Sequence, residues 1–353
     1  MKKLKVAIVG VGGISSSHIA AYQKNENVEL YAFCDINPER LAYMGERYGV
    51  TRRFTDEREM LAALPELDAV DVCTWNAAHA PCSIMALEAG KHVFCEKPMA
   101  MNVEEAEAMK AAAEKAGRLL MIGFVRRFGQ DCDIVSSLIE NGEIGEIYYA
   151  KTMNIRRNGN PGGWFAEKAR SGGGPLIDLG VHSIDLVRYL MGKPRAVSVY
   201  GATYNKLGNR SDIKTPKPYV SSCATDHDIC DCEDLASVMV RFEGGATLAV
   251  EMSYSLNVGK EENNIQLFGT KAGVKMDTDV TLYSQTNGYL SDISLAGKTG
   301  FDFQGAFDAE IAHFADCILH GTPCRNSADD GIEMMKILTA AYASAESGHE
   351  VLL

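Results

Sequence analysis

Residues 5–15 read KVAIVGVGGIS, and the order of residue types within them decides the first half of the fold. An apolar, β-branched run, Val6 to Val9, predicts a strand buried on both faces. Gly10-Val11-Gly12-Gly13-Ile14-Ser15 follows at once and opens a helix, and the next strand ends on Asp35, twenty residues beyond Ser15. Strand, glycine turn, helix, strand and acid in that order form the dinucleotide fingerprint in its required context. Gly10 permits the tight turn, Gly12 lets backbone approach a pyrophosphate, and the amides about Gly13 and Ile14 present positive charge to it. Ser15 stands where a third glycine is common and is small enough for the helix to pack on the strand. Asp35 can accept hydrogen bonds from both ribose hydroxyls, while its charge repels a 2′-phosphate, so NAD is the expected cofactor and NADP the disfavoured one. Arg40, five residues on, either reaches such a phosphate or faces solvent from its helix; the sequence leaves both open.

Outward from this stretch, short buried strands alternate with helical segments. VELYAFCD, AVDVCTW, HVFCEKP and LLMIGF are strands; the helices run through His18 and Tyr22, from Pro38 to Tyr48, Ala80 to Ala89, and Val103 to Ala116. Such alternation gives a parallel sheet covered on both faces, so residues 1–123 are expected to form one doubly wound Rossmann domain. After Phe124 the pattern changes. A helix at Ile134–Glu140, the strand GEIYYAKTMNIRR and a glycine-rich loop lead to a helix carrying Asp178. RAVSVYGATY, LASVMVRFEG, ATLAVEMSYSL, NNIQLFGTKAG and VKMDTDVTLYS then read as successive strands without helices between them. Residues 124–353 are thus expected to form an α+β domain on an open, mostly antiparallel sheet. Lys206–Asp234 reads as a long polar excursion, and the helix at 327–347 as one that packs back on the first domain or across the junction.

With 353 residues, 46% hydrophobic and 23% charged, the composition is that of a folded chain of two domains. A net charge of −12 argues against a nucleic-acid surface, and no apolar run reaches the roughly 18 residues that span a bilayer. The opening stretch reads as a first strand rather than a secretory leader. Ten cysteines scattered mostly singly suggest reduced thiols in the cytoplasm. Cys223, Cys230 and Cys232 cluster near His227 in a spacing that fits no zinc template, so no metal is expected.

Two further motifs carry chemistry. In GGGPLIDLGVHSIDL, Asp178 and His182 are four residues apart, which stacks them on one helix face. A carboxylate beside an imidazole can fix the ring's tautomer while the ring exchanges protons with a substrate hydroxyl. Glu96-Lys97-Pro98 follows a strand of the first domain, at the edge where open α/β sheets bind ligands, and the Lys97 ammonium there can stabilise a developing alkoxide. Trp164 and Phe165, between glycine-rich stretches, suit an aromatic wall for a sugar ring or a place in the core.

Taken together, GVGGIS, TWNAAH, AGKHVFCEKPMA, GFVRRF, IGEI and GGGPLIDLGVHSIDL resemble the Gfo/Idh/MocA family of oxidoreductases, in that order over nearly the whole chain. The resemblance implies an NAD(P)-dependent dehydrogenase acting on a secondary alcohol of a sugar, cyclitol or related polyol, without metal, and a homo-oligomer, dimer or tetramer. It implies that Lys97 is the catalytic lysine, His182 the proton acceptor and Asp178 its partner. Asn76 and His79 match residues that line the cofactor, and Arg126 or Arg127 begins the crossing to the second domain; Thr74, Trp75, Glu96 and Lys97 are the further candidates for the cofactor, and Arg127, Trp164, Asp178 and His182 those for the substrate. Trp75 replaces a common proline, Val125 a frequent asparagine, and the Lys206–Asp234 excursion is longer than usual. A glycoside hydrolase that retains NAD and a non-catalytic sugar or nucleotide sensor are the alternatives within this fold.

Overall fold

The computed structural model describes residues 3–208, 210, 212–225 and 227–353. Its first sheet is built from β1 (Leu4–Val9), β2 (Val28–Cys34), β3 (Arg53–Phe54), β4 (Ala69–Val72), β5 (His92–Glu96) and β6 (Leu120–Gly123), linked by α1 (Ser15–Lys24), α2 (Pro38–Tyr48), α3 (Glu57–Ala63), α4 (His79–Glu88) and α5 (Val103–Ala116). All pairings are parallel in the order β3-β2-β1-β4-β5-β6, which places the topological switch point between β1 and β4. The helices start where their sequences say. Asn37 caps α2 by accepting from the amides of Glu39 and Arg40 with Pro38 behind it, and Asp56 and Asn102 cap α3 and α5 in the same way.

The chain forms two compact units, one of residues 1–123 with 307–335 and the other of 124–306 with 336–353. The change of unit falls inside α9 (Phe303–His320) and α10 (Ala328–Ser347), which follow the elements of the second unit. In the first unit, Phe314 meets Phe94 of β5 edge-on at 5.5 Å, and the amide of Ile122 donates to Asn326 at 3.1 Å. Residues 307–335 therefore cover part of the parallel sheet, so the expected continuous domain 124–353 is interrupted by a segment belonging to the first unit.

The second unit carries α6 (Gln130–Glu140), β7 (Ile147–Ile155), a short α7 (Lys168–Ser171), α8 (Val181–Leu190), β8 (Ala196–Tyr204), β9 (Leu235–Phe242), β10 (Thr247–Ser253), β11 (Glu262–Gly269), β12 (Gly273–Met276), β13 (Val280–Thr286), β14 (Tyr289–Ser294) and β15 (Val351–Leu352). Nine strands join in the order β14-β13-β12-β11-β7-β10-β9-β8-β15. All neighbours are antiparallel except β7 and β10, whose pairing makes the sheet mixed. VKMDTDVTLYS is not one strand: it turns at Asp277–Asp279 and gives the hairpin of β12 and β13. Along β9, Ala236, Val238, Val240 and Phe242 are buried while Ser237, Met239 and Arg241 are exposed, so one face holds the core and the other is bare.

One buried acid under the nucleotide end titrates abnormally. Burial raises the Glu57 carboxyl from 4.5 to about 7, with the Cys82 thiol opposing and Asp56 adding to the rise. A carboxyl raised on folding contributes stability that is complete below about pH 4.5 and is lost as pH rises through 7. Glu57→Gln, which stays neutral, is therefore expected to gain about 3 kcal/mol in unfolding free energy on the wild type between pH 4 and pH 8. Urea unfolding at both pH values measures this, and a gap that does not change with pH would contradict it.

Candidate functional site

The nucleotide end is assembled by backbone contact. Gly10 has φ +87°, and a Cβ there would stand 2.8 Å from the backbone of Cys73 and Thr74, so the turn after β1 lies against the exit of β4 in a way only glycine allows. Its amide donates to Cys34 at 2.8 Å, tying the turn to β2 as well. Gly12 has nothing within 4 Å of its own would-be Cβ, which leaves open space above the loop. Ser15 Oγ donates to Gly12 at 2.8 Å, and α1 starts at Ile14 with no side-chain cap. Gly13 is exposed beside it. Open space over Gly12 and an uncapped helix start suit the pyrophosphate of a dinucleotide.

Asp35 follows β2, and its carboxylate already serves the loop: Oδ2 accepts from the Val11 amide and Oδ1 from the Asn37 amide, each at 2.8 Å. Two carboxylate oxygens offer about four acceptor sites, which leaves capacity for a ribose diol. Arg40 neither faces solvent alone nor stands free for a phosphate. Its guanidinium donates to the carbonyls of Val11, at 2.8 Å, and Gly12, at 3.2 Å, strapping the glycine loop to α2.

After β4, Thr74 and Trp75 are half-buried, and the buried Asn76 opens one tight turn before α4. His79 lies wholly inside: Nδ1 is 2.7 Å from the Pro98 carbonyl and Nε2 is 3.2 Å from that of Thr74. Burial lowers its pKa, and the ring is clamped between two loop carbonyls. Glu96 also points inward, with one oxygen 2.9 Å from His18 Nε2 and the other accepting from the Lys97 amide at 3.1 Å. Both of its carboxylate oxygens are thus engaged inside the chain. Lys97 itself is half-buried at the end of β5.

In the second unit, the helix of Asp178 opens with one wide π turn, Leu176–Gly180, before the regular turns of α8. Asp178 sits in the wide turn and His182 in the first regular one, both half-buried; such widened turns recur at functional sites. The glycine run before them is packed against Tyr342 and Glu233, leaving no room for a Cβ at Gly173 or Gly174. Glu233 accepts from the amides of Gly174, at 2.8 Å, and Leu176, at 3.2 Å, and from Tyr342 at 2.9 Å. It is a distant carboxylate doing the work of an N-cap. Burial raises its pKa against these hydrogen bonds.

Tyr254, which follows β10, donates to Asp178 Oδ2 at 2.8 Å. Tyr219 lies close enough that burial, then the charge of Asp178, raise its hydroxyl. Its ring meets Phe165 edge-on at 6.1 Å, and Phe165 stacks on Trp164 at 3.9 Å. Sequence reasoning missed both tyrosines, since neither belongs to a local motif. Arg127 was expected at the substrate. It is fully buried instead, Nε and Nη2 donating to Asp185 at 2.9 and 2.6 Å, and it clamps α8 to the turn at 125–128.

The chain is similar to known oxidoreductases over its whole length. Residues 4–124 match the model of an oxidoreductase family with an NAD-binding Rossmann fold, and residues 136–353 match its C-terminal alpha/beta domain. The D-glucoside 3-dehydrogenase of Escherichia coli (strain K12) is 33% identical over 99% of this chain and 97% of its own. The myo-inositol 2-dehydrogenase of Thermotoga maritima is 26% identical over 99% of this chain and 98% of its own. Among solved structures, an aldose-aldose oxidoreductase from Caulobacter crescentus complexed with glycerol superposes with a TM-score of 0.82 at 30% identity, covering 100% of both chains.

Asp35→Ser removes both a loop anchor and the charge that repels a 2′-phosphate. It is expected to raise KM for NAD about tenfold or more and to increase the ratio of kcat/KM for NADP to that for NAD. Steady-state kinetics with each nucleotide tests this, and an unchanged ratio would refute the role given to Asp35.

Proposed function

The chain belongs to the Gfo/Idh/MocA family of NAD-binding oxidoreductases, and we propose that it transfers a hydride between a ring secondary alcohol of a sugar, glycoside or cyclitol and NAD. The observation that carries the substrate class is the grouping of Asp178 with Tyr254, Tyr219, Phe165 and Trp164. Stacked aromatic faces pack against the C–H face of a sugar ring, while carboxylate and phenol groups bond its hydroxyls. Relatives named for glucoside, inositol and aldose chemistry support the same class.

Bound NAD supplies a hydride acceptor at its nicotinamide carbon. The protein must take the hydroxyl proton as that hydride leaves, and must hold the oxygen's growing negative charge. In this reading the His182 ring takes the proton, Asp178 orients the ring and the substrate, and Tyr254 holds Asp178 in place. Lys97 supplies the fixed cation beside the alcohol oxygen. These two demands, one base and one cation, are the whole of the proton chemistry, so the reading needs no metal.

All ten cysteines are thiols outside any disulfide, which fits a reducing, cytoplasmic setting, and no described helix is long and apolar enough to cross a membrane. Tyr200, Tyr204 and Met239 stand on the bare face of the nine-stranded sheet, 50%, 46% and 43% exposed. An apolar face of this kind calls for a second copy of the chain, so the protein acts as a dimer or tetramer.

Incubation with NAD and a panel of glucosides, aldoses and inositols is expected to give reduced nicotinamide with at least one cyclic polyol. Lys97→Ala is expected to lower kcat/KM for that substrate by about 10³-fold or more. Wild-type turnover in Lys97→Ala, or no turnover with any polyol, would overturn the assignment. Sedimentation at micromolar concentration is expected to show an oligomer; a monomer would remove the role given to the sheet face.

A further inference from the structure

Behind β4 and β5 lies a buried cluster of ionisable groups that the reaction just described does not use. His18 of α1 is wholly buried, with Nδ1 2.8 Å from Asp71 Oδ2 and Nε2 2.9 Å from Glu96 Oε1. Cys73 Sγ is 3.5 Å from Nδ1 and 3.3 Å from Asp71 Oδ1. Tyr22 of α1 and Glu310 of α9 flank the same cluster, and the rings of Phe94 and Phe307 lie 5.4 and 5.1 Å from the imidazole.

A neutral imidazole has one N–H and can donate to only one of the two carboxylates, whereas a protonated ring donates to both. Burial opposes the charge on His18, but Asp71 and then Cys73 outweigh it and hold the ring protonated well above its usual range. The bridge matters because of what Glu96 does next. Its Oε2 accepts from the Lys97 amide, and one residue further on the Pro98 carbonyl is held by His79, so the backbone of the lysine is fixed on both sides.

We propose that His18 is a positioning residue for hydride transfer: by bridging Asp71 and Glu96 it fixes the carboxylate that holds the Lys97 backbone, and so aims the ammonium at the alcohol oxygen. The proposal rests on the reading of Lys97 as the catalytic cation. It concerns orientation, so its signature is a loss in turnover without a loss in binding.

Two amide variants separate the ring's two contacts. In His18→Asn the amide can replace Nδ1 toward Asp71 but cannot reach Glu96; in His18→Gln it can replace Nε2 toward Glu96. His18→Asn is expected to lose about 30- to 100-fold in kcat, with KM for NAD and for the polyol within about threefold of wild type, and His18→Gln to recover most of the loss. Folding is checked by thermal melting of the NAD-bound protein. If His18→Asn does not fold, Glu96→Gln replaces it, and the same split is expected. Wild-type kcat in a folded His18→Asn or Glu96→Gln protein, equal losses in His18→Asn and His18→Gln, or a parallel loss of NAD binding would overturn the proposal. Lys97→Ala distinguishes the failures: if it is active, the reading of the lysine falls; if it is inactive while the Glu96 and His18 variants turn over normally, only the positioning role falls.

Discussion

The contact on which the nucleotide end depends is backbone against backbone, Gly10 lying on the peptide between Cys73 and Thr74. Any side chain at residue 10 would separate β1 from the exit of β4, and the backbone there has a positive φ that L side chains avoid. Because the turn seats this deeply, Gly12 is left facing open space, and Asp35 and Arg40 reach the loop from the end of β2 and from α2. Three connections of the doubly wound sheet are thereby held in one arrangement at its switch point. The ligand site of such a sheet follows from that geometry before any catalytic side chain is considered.

Both units also bury charges immediately behind a segment to which the proposed reaction assigns chemistry. His18 sits between Asp71 and Glu96 behind Lys97, and Arg127 is forked onto Asp185 one turn beyond His182. Buried ion pairs are poor sources of stability, since desolvation offsets most of the attraction, yet breaking one by removing a single partner costs about 3–5 kcal/mol. What such pairs supply is a unique arrangement. A greasy contact tolerates sliding by a fraction of an ångström, whereas a bidentate guanidinium–carboxylate pair does not. Two buried pairs thus hold the backbone on which Lys97 and His182 are mounted, as the proposed hydride transfer would require of its cation and its base.

How much of this could be read from the sequence depends on whether the information is local. The glycine turn, the acid after β2 and the alternation of β1, β2, β4, β5 and β6 with helices are patterns within some thirty residues, and each is where the sequence puts it, whereas the two-residue β3 and the short α3 are too brief to show a period. The pairing of β7 with β10 is not, because nothing along the chain says which distant strand will lie beside another. Glu233 caps a helix turn 57 residues away and leaves no trace in either stretch. Local motifs also do not say which way a side chain faces. Glu96, His79 and Arg127 belong to motifs that line ligands in the resembled family, and in the folded chain all three turn inward to carbonyls, an imidazolium or a carboxylate. VKMDTDVTLYS misled for a simpler reason: its two halves each alternate correctly, and the turn at Asp277–Asp279 carries no glycine or proline to mark it.

The polar excursion between β8 and β9 was the least readable part of the chain, and it bears most directly on specificity. Ser221 donates to the Pro161 carbonyl at 2.9 Å, Asp228 accepts from the Gly163 amide, and Asp231 meets Lys168 and Ala166. Gly162 and Gly163 have positive φ, and side chains there would strike Asp228, Ala224, Cys223 and Ser221. The glycines before Trp164 thus record the approach of a loop from some sixty residues away, which is why they looked unattached in sequence. That approach brings Tyr219 against Phe165 and within the field of Asp178. The face proposed for a sugar ring is consequently built by two loops bracing each other, one of which has almost no periodic sequence. If buried charges fix the reacting groups as proposed, such a scaffold can change substrate by altering loops of this kind alone.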